Sequence, residues 1–253
     1  MGRILDRLNK AGELRRWTAR ADSAESLDDA TLRQMRAEAR QLRRQLDRLL
    51  HVAEGRIALP RAGSTAFPRP HDTDWAWRPE LWRGPLPRPG IVAAPSKSRL
   101  GDEATLFHDC AQSELTLRQM RNRRDDDLAP FGLRMDVYRF DGTFLSLVID
   151  LPVEATTGLT RNHLLRVATV IDVEKPLEIF ARLNVKHGPN TEQLVREFSL
   201  ETRETMVEFD MAYSGLDENR VERAWLDLIF EAPEMNQVML RDLNMARYRR
   251  AAL

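Results

Sequence analysis

The sequence predicts a mainly β protein, an antiparallel jelly-roll-like β-sandwich with an N-terminal α-helical hairpin or coiled-coil extension. Three observations support this class. Eight extended segments after about residue 133 alternate apolar and polar residues and lack helix-length gaps between them. Residues 1–57 show helical periodicity, whereas residues 58–100 are rich in proline and tryptophan. We therefore expect a helical region at 1–57, a Pro/Trp-rich strap or linker at 58–100 and a sandwich domain at 101–253.

The N-terminal region is expected to form two helices. Ser26 begins a stretch, Ser-Leu-Asp-Asp, that is typical of a helix start. The second helix repeats apolar residues at the three-and-four spacing of a coiled-coil seam, at Leu32, Met35, Ala39, Leu42, Leu46 and Leu49. So short a seam fits packing against the first helix as a hairpin. It also fits a homo-oligomer contact through residues 27–54, and both alternatives stay open.

The strap concentrates proline and tryptophan. Pro60 to Pro95 includes most of the 13 prolines, which disfavours regular helix. Trp75, Trp77 and Trp82 follow one another closely in the same segment. So much apolar surface predicts burial against the sandwich, and the alternative is an aromatic platform for a sugar or peptide.

The sandwich strands are assigned from alternation and turns. Two outer strands are expected at 104–109 and 114–121. A hairpin is expected at 133–151, turning at Asp141-Gly142. The remaining strands are expected at 163–174, 177–186, 193–200, 206–213, 224–231 and 237–246. An immunoglobulin-like sandwich is the alternative topology.

Alternation also separates the interior from the outer faces. Leu183, Phe209 and Leu228 are expected to share one interior. If their strands are neighbours, the residues between them form one outer face, which carries Arg182, Asn184, Asp210, Trp225 and Asp227. An aromatic ring beside carboxylate, amide and guanidinium groups is typical of sugar recognition. The alternative is a solvated face with ion pairs, or a face that the strap covers.

The other motifs favour structural interpretations. Phe107-His108-Asp109-Cys110 lacks the ligand spacing of a zinc site and a third group for a nucleophile, so Cys110 is expected to be an inert strand-end cysteine. His187-Gly-Pro-Asn190 is expected to be a turn. We expect no catalytic residues, metal or cofactor. Carboxylates offer many pairs for a saccharide hydrolase but single out none, at Asp136, Asp150, Glu208, Asp210, Asp227 and Glu231.

Charge and hydropathy bear on compartment and partners. Residues 1–100 hold 20 basic and 12 acidic residues, and residues 101–253 hold 19 and 27. The basic helices lack the interleaved aromatics of a nucleic-acid interface and the body is acidic, so we expect no nucleic-acid partner. No stretch approaches the ~18 apolar residues of a membrane span, and no signal peptide is visible. A single cysteine agrees with a reducing cytoplasm.

Several motifs carry a family resemblance. They are Trp75-Ala-Trp-Arg-Pro-Glu-Leu-Trp-Arg-Gly, Leu106-Phe-His-Asp-Cys, Phe140-Asp-Gly-Thr-Phe-Leu-Ser-Leu and Arg182-Leu-Asn-Val-Lys-His-Gly-Pro-Asn-Thr-Glu. Over most of residues 70–253 the chain resembles an uncharacterised alphaproteobacterial protein family without assigned activity. The last strand, Val238-Met-Leu-Arg-Asp-Leu-Asn-Met, is similar to the closing strand of galactose-binding-like and carbohydrate-binding jelly rolls.

The sequence thus predicts a bacterial cytoplasmic, non-catalytic binding or assembly module. A glycan on the outer face of one sheet is the candidate ligand, and a protein ligand is the alternative partner. A structural protein that oligomerises through its N-terminal helices is the alternative function, and an uncharacterised saccharide hydrolase is the second alternative.

Overall fold

A computed structural model describes residues 2–58, 67–124 and 126–250 of the 253-residue chain. Side chains are not described for residues 2–11, 47, 48, 50–52 and 54–58. The chain forms two compact units, Met1–Ala53 and Glu54–Leu253. No helix within the described residues is long and apolar enough to cross a bilayer.

The N-terminal unit contains two helices, α1 (Gly2–Asp22) and most of α2 (Asp29–Ala58). Arg20 of α1 donates a hydrogen bond to Glu38 of α2 at 2.9 Å, so the two helices contact each other. Asp28 caps α2, because its Oδ1 accepts the backbone N–H groups of Ala30 and Thr31, each at 3.0 Å. Ser26, which begins the predicted helix-start stretch, does not cap the helix, because its hydroxyl donates backwards to the Ser23 carbonyl oxygen. The hydrogen bonds from Thr31 lower the pKa of Asp28.

The second unit is an antiparallel β-sandwich, which confirms the predicted fold class. The strands are β1 (Thr73–Trp77), β2 (Gly90–Val92), β3 (Ser98–Leu100), β4 (Ala104–His108), β5 (Leu115–Arg121), β6 (Phe131–Val137), β7 (Leu145–Asp150), β8 (His163–Val173), β9 (Ile179–His187), β10 (Asn190–Glu197), β11 (Glu204–Asp210), β12 (Val221–Phe230) and β13 (Asn236–Arg249). One sheet has six strands in the order β10-β9-β12-β7-β4-β3. The other has seven, in the order β11-β8-β13-β6-β5-β2 with β1 also paired to β13. Two short helices, α3 (Glu80–Arg83) and α4 (Val153–Thr156), lie between strands.

The core lies between the two sheets. Leu183 and Leu228 come from the six-stranded sheet and Phe209 from the seven-stranded sheet, and all three belong to one buried cluster. The predicted common interior is therefore confirmed. Period-two alternation follows from the pleat of each strand, which fixes one side chain inward and the next outward.

The expected hairpin at 133–151 is wrong. β6 pairs with β5 and β13, whereas β7 pairs with β4 and β12, so Asp141-Gly142 connects the two sheets. Asp109 holds this crossing, since Oδ1 accepts the Thr143 N–H at 2.7 Å and Oδ2 accepts the Thr143 hydroxyl at 2.6 Å. A Cβ on Gly142 would lie 2.5 Å from Asp109 Oδ1. Alternation alone could not distinguish a hairpin from a crossing, because both keep the same faces buried.

The region expected as a strap contributes strands to both sheets. β1 and β2 join the seven-stranded sheet and β3 joins the six-stranded sheet, so the sheets include residues before 101. Trp82 is fully buried, and its indole N–H donates to the Leu240 carbonyl oxygen at 3.0 Å. Trp75 and Trp77 stack with centroids 6.3 Å apart and pack, partly buried, against the core. Residues 59–66 lie outside the described residues.

A buried ion pair ties this region to the seven-stranded sheet. Arg78 Nε and Nη2 donate to the two carboxylate oxygens of Asp242, each at 2.8 Å. The two side chains are only 1% and 5% exposed. The Phe67 ring lies 5.1 Å from the guanidinium carbon of Arg78. The bidentate geometry satisfies both charges in a site from which water is excluded.

Candidate functional site

The candidate site is the outer face of the six-stranded sheet at β9 and β12, which we call the tryptophan face. The antiparallel register pairs Trp225 with Asn184 and Asp227 with Arg182. All four side chains have the outward parity, because Leu183 and Leu226 between them are buried in the core. The strand pairing thus brings together four of the five predicted site residues.

Asp210 does not belong to this group. It ends β11, which is an edge strand of the seven-stranded sheet. There its Oδ1 accepts the Ala212 N–H at 3.0 Å, and its Oδ2 lies 3.6 Å from Arg250 Nε. Its outward parity was predicted correctly, but parity does not say to which sheet a strand belongs. Asp210 is therefore removed from the candidate site.

Polar groups at the centre of the tryptophan face bind one another. Arg182 Nε lies 2.7 Å and Nη2 2.6 Å from Asp227 Oδ2, and Asn184 Nδ2 donates to the same oxygen at 3.1 Å. Asn184 Oδ1 in turn accepts from Gln193 Nε2 at 3.0 Å. Asn184 is 0% and Asp227 3% exposed, so both lie beneath the surface. Such a satisfied network fixes the rotamers of its members.

Some groups remain free to contact a ligand. The two hydrogen bonds to Asp227 both end on Oδ2, so among the described residues no donor bonds to Oδ1. The Arg182 side chain is 37% exposed. Trp225 is partly exposed, with the Arg223 guanidinium carbon 4.9 Å from its ring centroid. The face therefore offers an aromatic ring and a cation to a ligand.

Two further residues flank Trp225 in the same row of the sheet. Asp150 of β7 pairs directly with Trp225 and is exposed. Gln193 of β10 pairs with Asn184 and is also exposed. Sequence reasoning missed both as members of this site. Their outward parity was readable, but the order β10-β9-β12-β7 that aligns them was not.

Two ion pairs on β9 and β12 differ in exposure. Lys186 Nζ lies 2.6 Å from Glu222 Oε2, and the two side chains are 39% and 47% exposed. The hydrogen bond from Lys186 lowers the pKa of Glu222. The Arg182–Asp227 pair joins the same two strands, but its carboxylate is only 4% exposed. The first pair lies in solvent, and the second is part of the sheet surface itself.

The three tryptophans of the strap lie with the seven-stranded sheet and not on the tryptophan face. β1, which holds Trp75 and Trp77, pairs with β13. The Trp82 indole N–H donates to the Leu240 carbonyl oxygen, which also belongs to β13. Trp225 keeps its partial exposure. The stacked pair of Trp75 and Trp77 is consequently separate from the predicted sugar-contact residues.

His108 and Cys110 have structural surroundings. The His108 ring places Nε2 2.9 Å from the Ala94 carbonyl oxygen, and Nδ1 accepts the Cys110 N–H at 3.2 Å. Burial raises the pKa of the Cys110 thiol, which disfavours a thiolate. Within the described part of the chain no group of three His, Cys, Asp or Glu residues is placed to hold a metal ion. His187 and Asn190 close a tight turn between β9 and β10, as predicted.

Comparison with protein families gives a match over the full length. The model of the family of unknown function DUF6478 matches residues 1–253. The chain belongs to this family. No curated protein matches the chain.

Solved structures similar to the chain include carbohydrate-binding modules. The family 11 module from Clostridium thermocellum, solved with a β-1,3-1,4-mixed-linked tetrasaccharide, is 11% identical with a TM-score of 0.38, and the match covers 61% of this chain and 96% of the module. The CBM22-1 xylan-binding domain of Paenibacillus barcinonensis Xyn10C is 8% identical with a TM-score of 0.37, covering 64% and 94%. The tailspike protein 4 domain of bacteriophage CBA120 is 6% identical with a TM-score of 0.40, covering 56% of this chain and 19% of that one. These likenesses concern the β-sandwich fold.

Proposed function

We propose that this protein is a non-catalytic binding module that recognises a saccharide on the tryptophan face. The observation that carries the proposal is the pairing of Trp225 with Asn184 and Asp150, beside the Arg182–Asp227 pair. A sugar ring presents C–H groups on its faces and hydroxyls at its edge. An aromatic ring beside fixed polar groups is complementary to both.

Each group has a defined part in the proposal. Trp225 stacks on a sugar ring, and its neighbour Asp150 accepts a hydroxyl. The Arg182 side chain is 37% exposed, and its guanidinium group contacts hydroxyls of the next ring. Asn184 touches no sugar, because it is buried, and it positions Asp227. Pre-organised side chains lose little conformational entropy on binding, so a shallow face can still bind a ligand.

The test is calorimetric titration of the full chain with neutral β-linked oligosaccharides, namely cellohexaose, xylohexaose and laminarihexaose. We expect saturable binding of at least one, about tenfold weaker after Trp225→Ala and less affected by Trp225→Phe, which keeps a ring. Tyr213→Ala is the matched control, since Tyr213 is a 76% exposed aromatic residue near the end of the seven-stranded sheet. Absence of binding to all three sugars, or equal losses in Trp225→Ala and Tyr213→Ala, contradicts the proposal.

A second candidate function is self-association through α2, and one observation favours it. Leu42, Leu46 and Leu49 of the predicted seam are 39%, 49% and 63% exposed. Exposed leucines at this spacing are typical of a helix that packs against another chain.

Light scattering over a range of concentrations tests this second function. We expect a homo-oligomer that dissociates when Leu42 and Leu46 are both changed to serine. Arg36→Ser with Arg40→Ser, exposed substitutions on the same helix, is the control and leaves the oligomer intact. A monomer at high concentration excludes self-association through residues 27–54.

A further inference from the structure

A second candidate site lies on the outer face of the seven-stranded sheet. A groove of about 1080 Å³ runs over β5, β6, β13 and β8, and we call it the arginine groove. Among the described residues that line it, arginines outnumber acidic residues by seven to two. The arginines are Arg118, Arg121, Arg123, Arg124, Arg134, Arg203 and Arg241.

Two carboxylates, Asp172 and Asp127, hold part of this cationic set in place. Asp172 lies 2.6 Å from Arg241 Nε, 3.0 Å from Arg203 Nε and 3.4 Å from Arg124 Nη1. Three guanidinium groups therefore converge on Asp172, and Arg241 Nη1 also lies 3.7 Å from Asp127 Oδ2, so two carboxylates face three arginines. Arg203 is 64% exposed, and Asp172 is its one acidic partner among the described residues. The cluster keeps excess positive charge directed at the groove.

The opposite side of the groove is also cationic. The register of β5 and β6 sets Arg118 directly opposite Arg134. Like charges in this arrangement destabilise a sheet. Asp136 compensates only Arg134, with an Nη2–Oδ1 distance of 2.8 Å. Arg118, Arg121 and Arg123 are exposed and have no acidic partner among the described residues. A bound anion would supply the missing counter-charge.

The floor and acceptors of the groove narrow the class of ligand. Met239 lies between Arg134 and Asp172 in one row of the sheet and gives the floor an apolar patch. Glu201 can accept hydroxyls of a sugar. The described lining residues include no Phe, Tyr, Trp or His on which nucleobases could stack. The volume exceeds that of a single small anion and suits several sugar rings.

We propose that the arginine groove binds an acidic oligosaccharide. The guanidinium groups contact the carboxylates of the sugar, and the faces of the sugar rings pack on Met239. This site is independent of the tryptophan face, because the two lie on different sheets. Planar guanidinium groups match the two oxygens of a carboxylate, so arginine is suited to this recognition. The protein would then hold two saccharide sites of opposite character, one for neutral and one for anionic sugars.

The test is calorimetric titration of the full chain with tetragalacturonate. Its fully methyl-esterified form has the same rings without charge and serves as the ligand control. We expect the acid to bind at least about tenfold more tightly than the ester, with an affinity that falls as salt rises. Changing Arg118, Arg121 and Arg123 together to glutamine should weaken binding of the acid by about tenfold or more. Circular dichroism confirms that the variant is folded.

Two protein controls separate this proposal from the previous one. Arg196→Gln removes an exposed arginine from β10, on the other sheet, and should leave tetragalacturonate binding unchanged. Trp225→Ala should also leave it unchanged, even where it abolishes binding of neutral sugars. Equal affinity for acid and ester, or an unaffected triple variant, overturns the proposal. Tighter binding of an oligothymidylate than of tetragalacturonate overturns it in favour of nucleic acid.

Discussion

The two outer faces of the sandwich differ in how their charged side chains are paired. On the tryptophan face Arg182 and Asn184 both donate to one oxygen of Asp227, and the amide and carboxylate are buried. On the seven-stranded sheet Asp172 faces three arginines, and Arg118 faces Arg134. On the first face Arg182 and Asp227 are paired with each other, whereas the second face keeps unpaired positive charge. The same two-layer architecture therefore supports a rigid platform on one side and an anion-attracting groove on the other.

The largest expected effect on stability is at the buried ion pair of the seven-stranded sheet. Asp242→Asn leaves Arg78 charged, 1% exposed and without its carboxylate. We expect the free energy of unfolding to fall by about 3–5 kcal/mol, as for other buried pairs broken at one partner. Denaturant titration measures it. Asp136→Asn is the control on the same sheet, because its partner Arg134 is 42% exposed, and we expect about 0–1 kcal/mol. Similar losses in both variants contradict the contrast between buried and exposed pairs.

An intermediate effect is expected on the tryptophan face. Asp227→Ala removes the carboxylate that accepts from Arg182 and from the buried Asn184 amide. We expect a loss of about 1–3 kcal/mol in the same titration. Glu222→Ala breaks the exposed ion pair with Lys186 on the same two strands and should cost less than about 1 kcal/mol. If Glu222→Ala lowers stability as much as Asp227→Ala, the buried network does not stabilise the fold more than an exposed ion pair does.

The smallest effect is expected in the arginine groove, and its sign is opposite. Arg118→Gln relieves the repulsion from Arg134 across β5 and β6. We expect a gain of about 0.2–0.5 kcal/mol, larger at low salt because screening weakens the repulsion. The midpoint of thermal unfolding at low and high ionic strength measures it, with Arg196→Gln as the control. A clear loss of stability would show that Arg118 stabilises the fold, which contradicts an unfavourable repulsion between Arg118 and Arg134.

Part of the candidate site could be predicted because it depends on local geometry. The outward parity of Arg182, Asn184, Trp225 and Asp227 follows from the pleat of two strands and from apolar neighbours such as Leu183 and Leu226. The inclusion of Asp210 failed for a different reason. Its parity was right, but β11 pairs with β8 in the other sheet. Pairing partners depend on long-range contacts that a single sequence does not encode in any local pattern.

The arginine groove could not be predicted from the sequence for the same reason. Arg118 and Arg134 look like ordinary outward residues of two separate strands, and Asp172 belongs to a third. Only the strand order brings them to one surface. The formal charge of residues 101–253 points to an acidic body, whereas one of its faces is strongly basic. A net charge averages over surfaces that lie in different directions, so it does not predict a local patch.

By itself, the sequence determined the secondary-structure class, the two-sided character of each strand and the residues of the shared interior. These follow from side-chain periodicity and from the free energy of burying apolar surface, which act over a few neighbouring residues. The tertiary structure alone decided which strands are neighbours, that Asp141-Gly142 crosses between sheets and that Arg78 reaches Asp242. Those outcomes depend on packing between segments far apart in the chain, where many arrangements satisfy the same alternation.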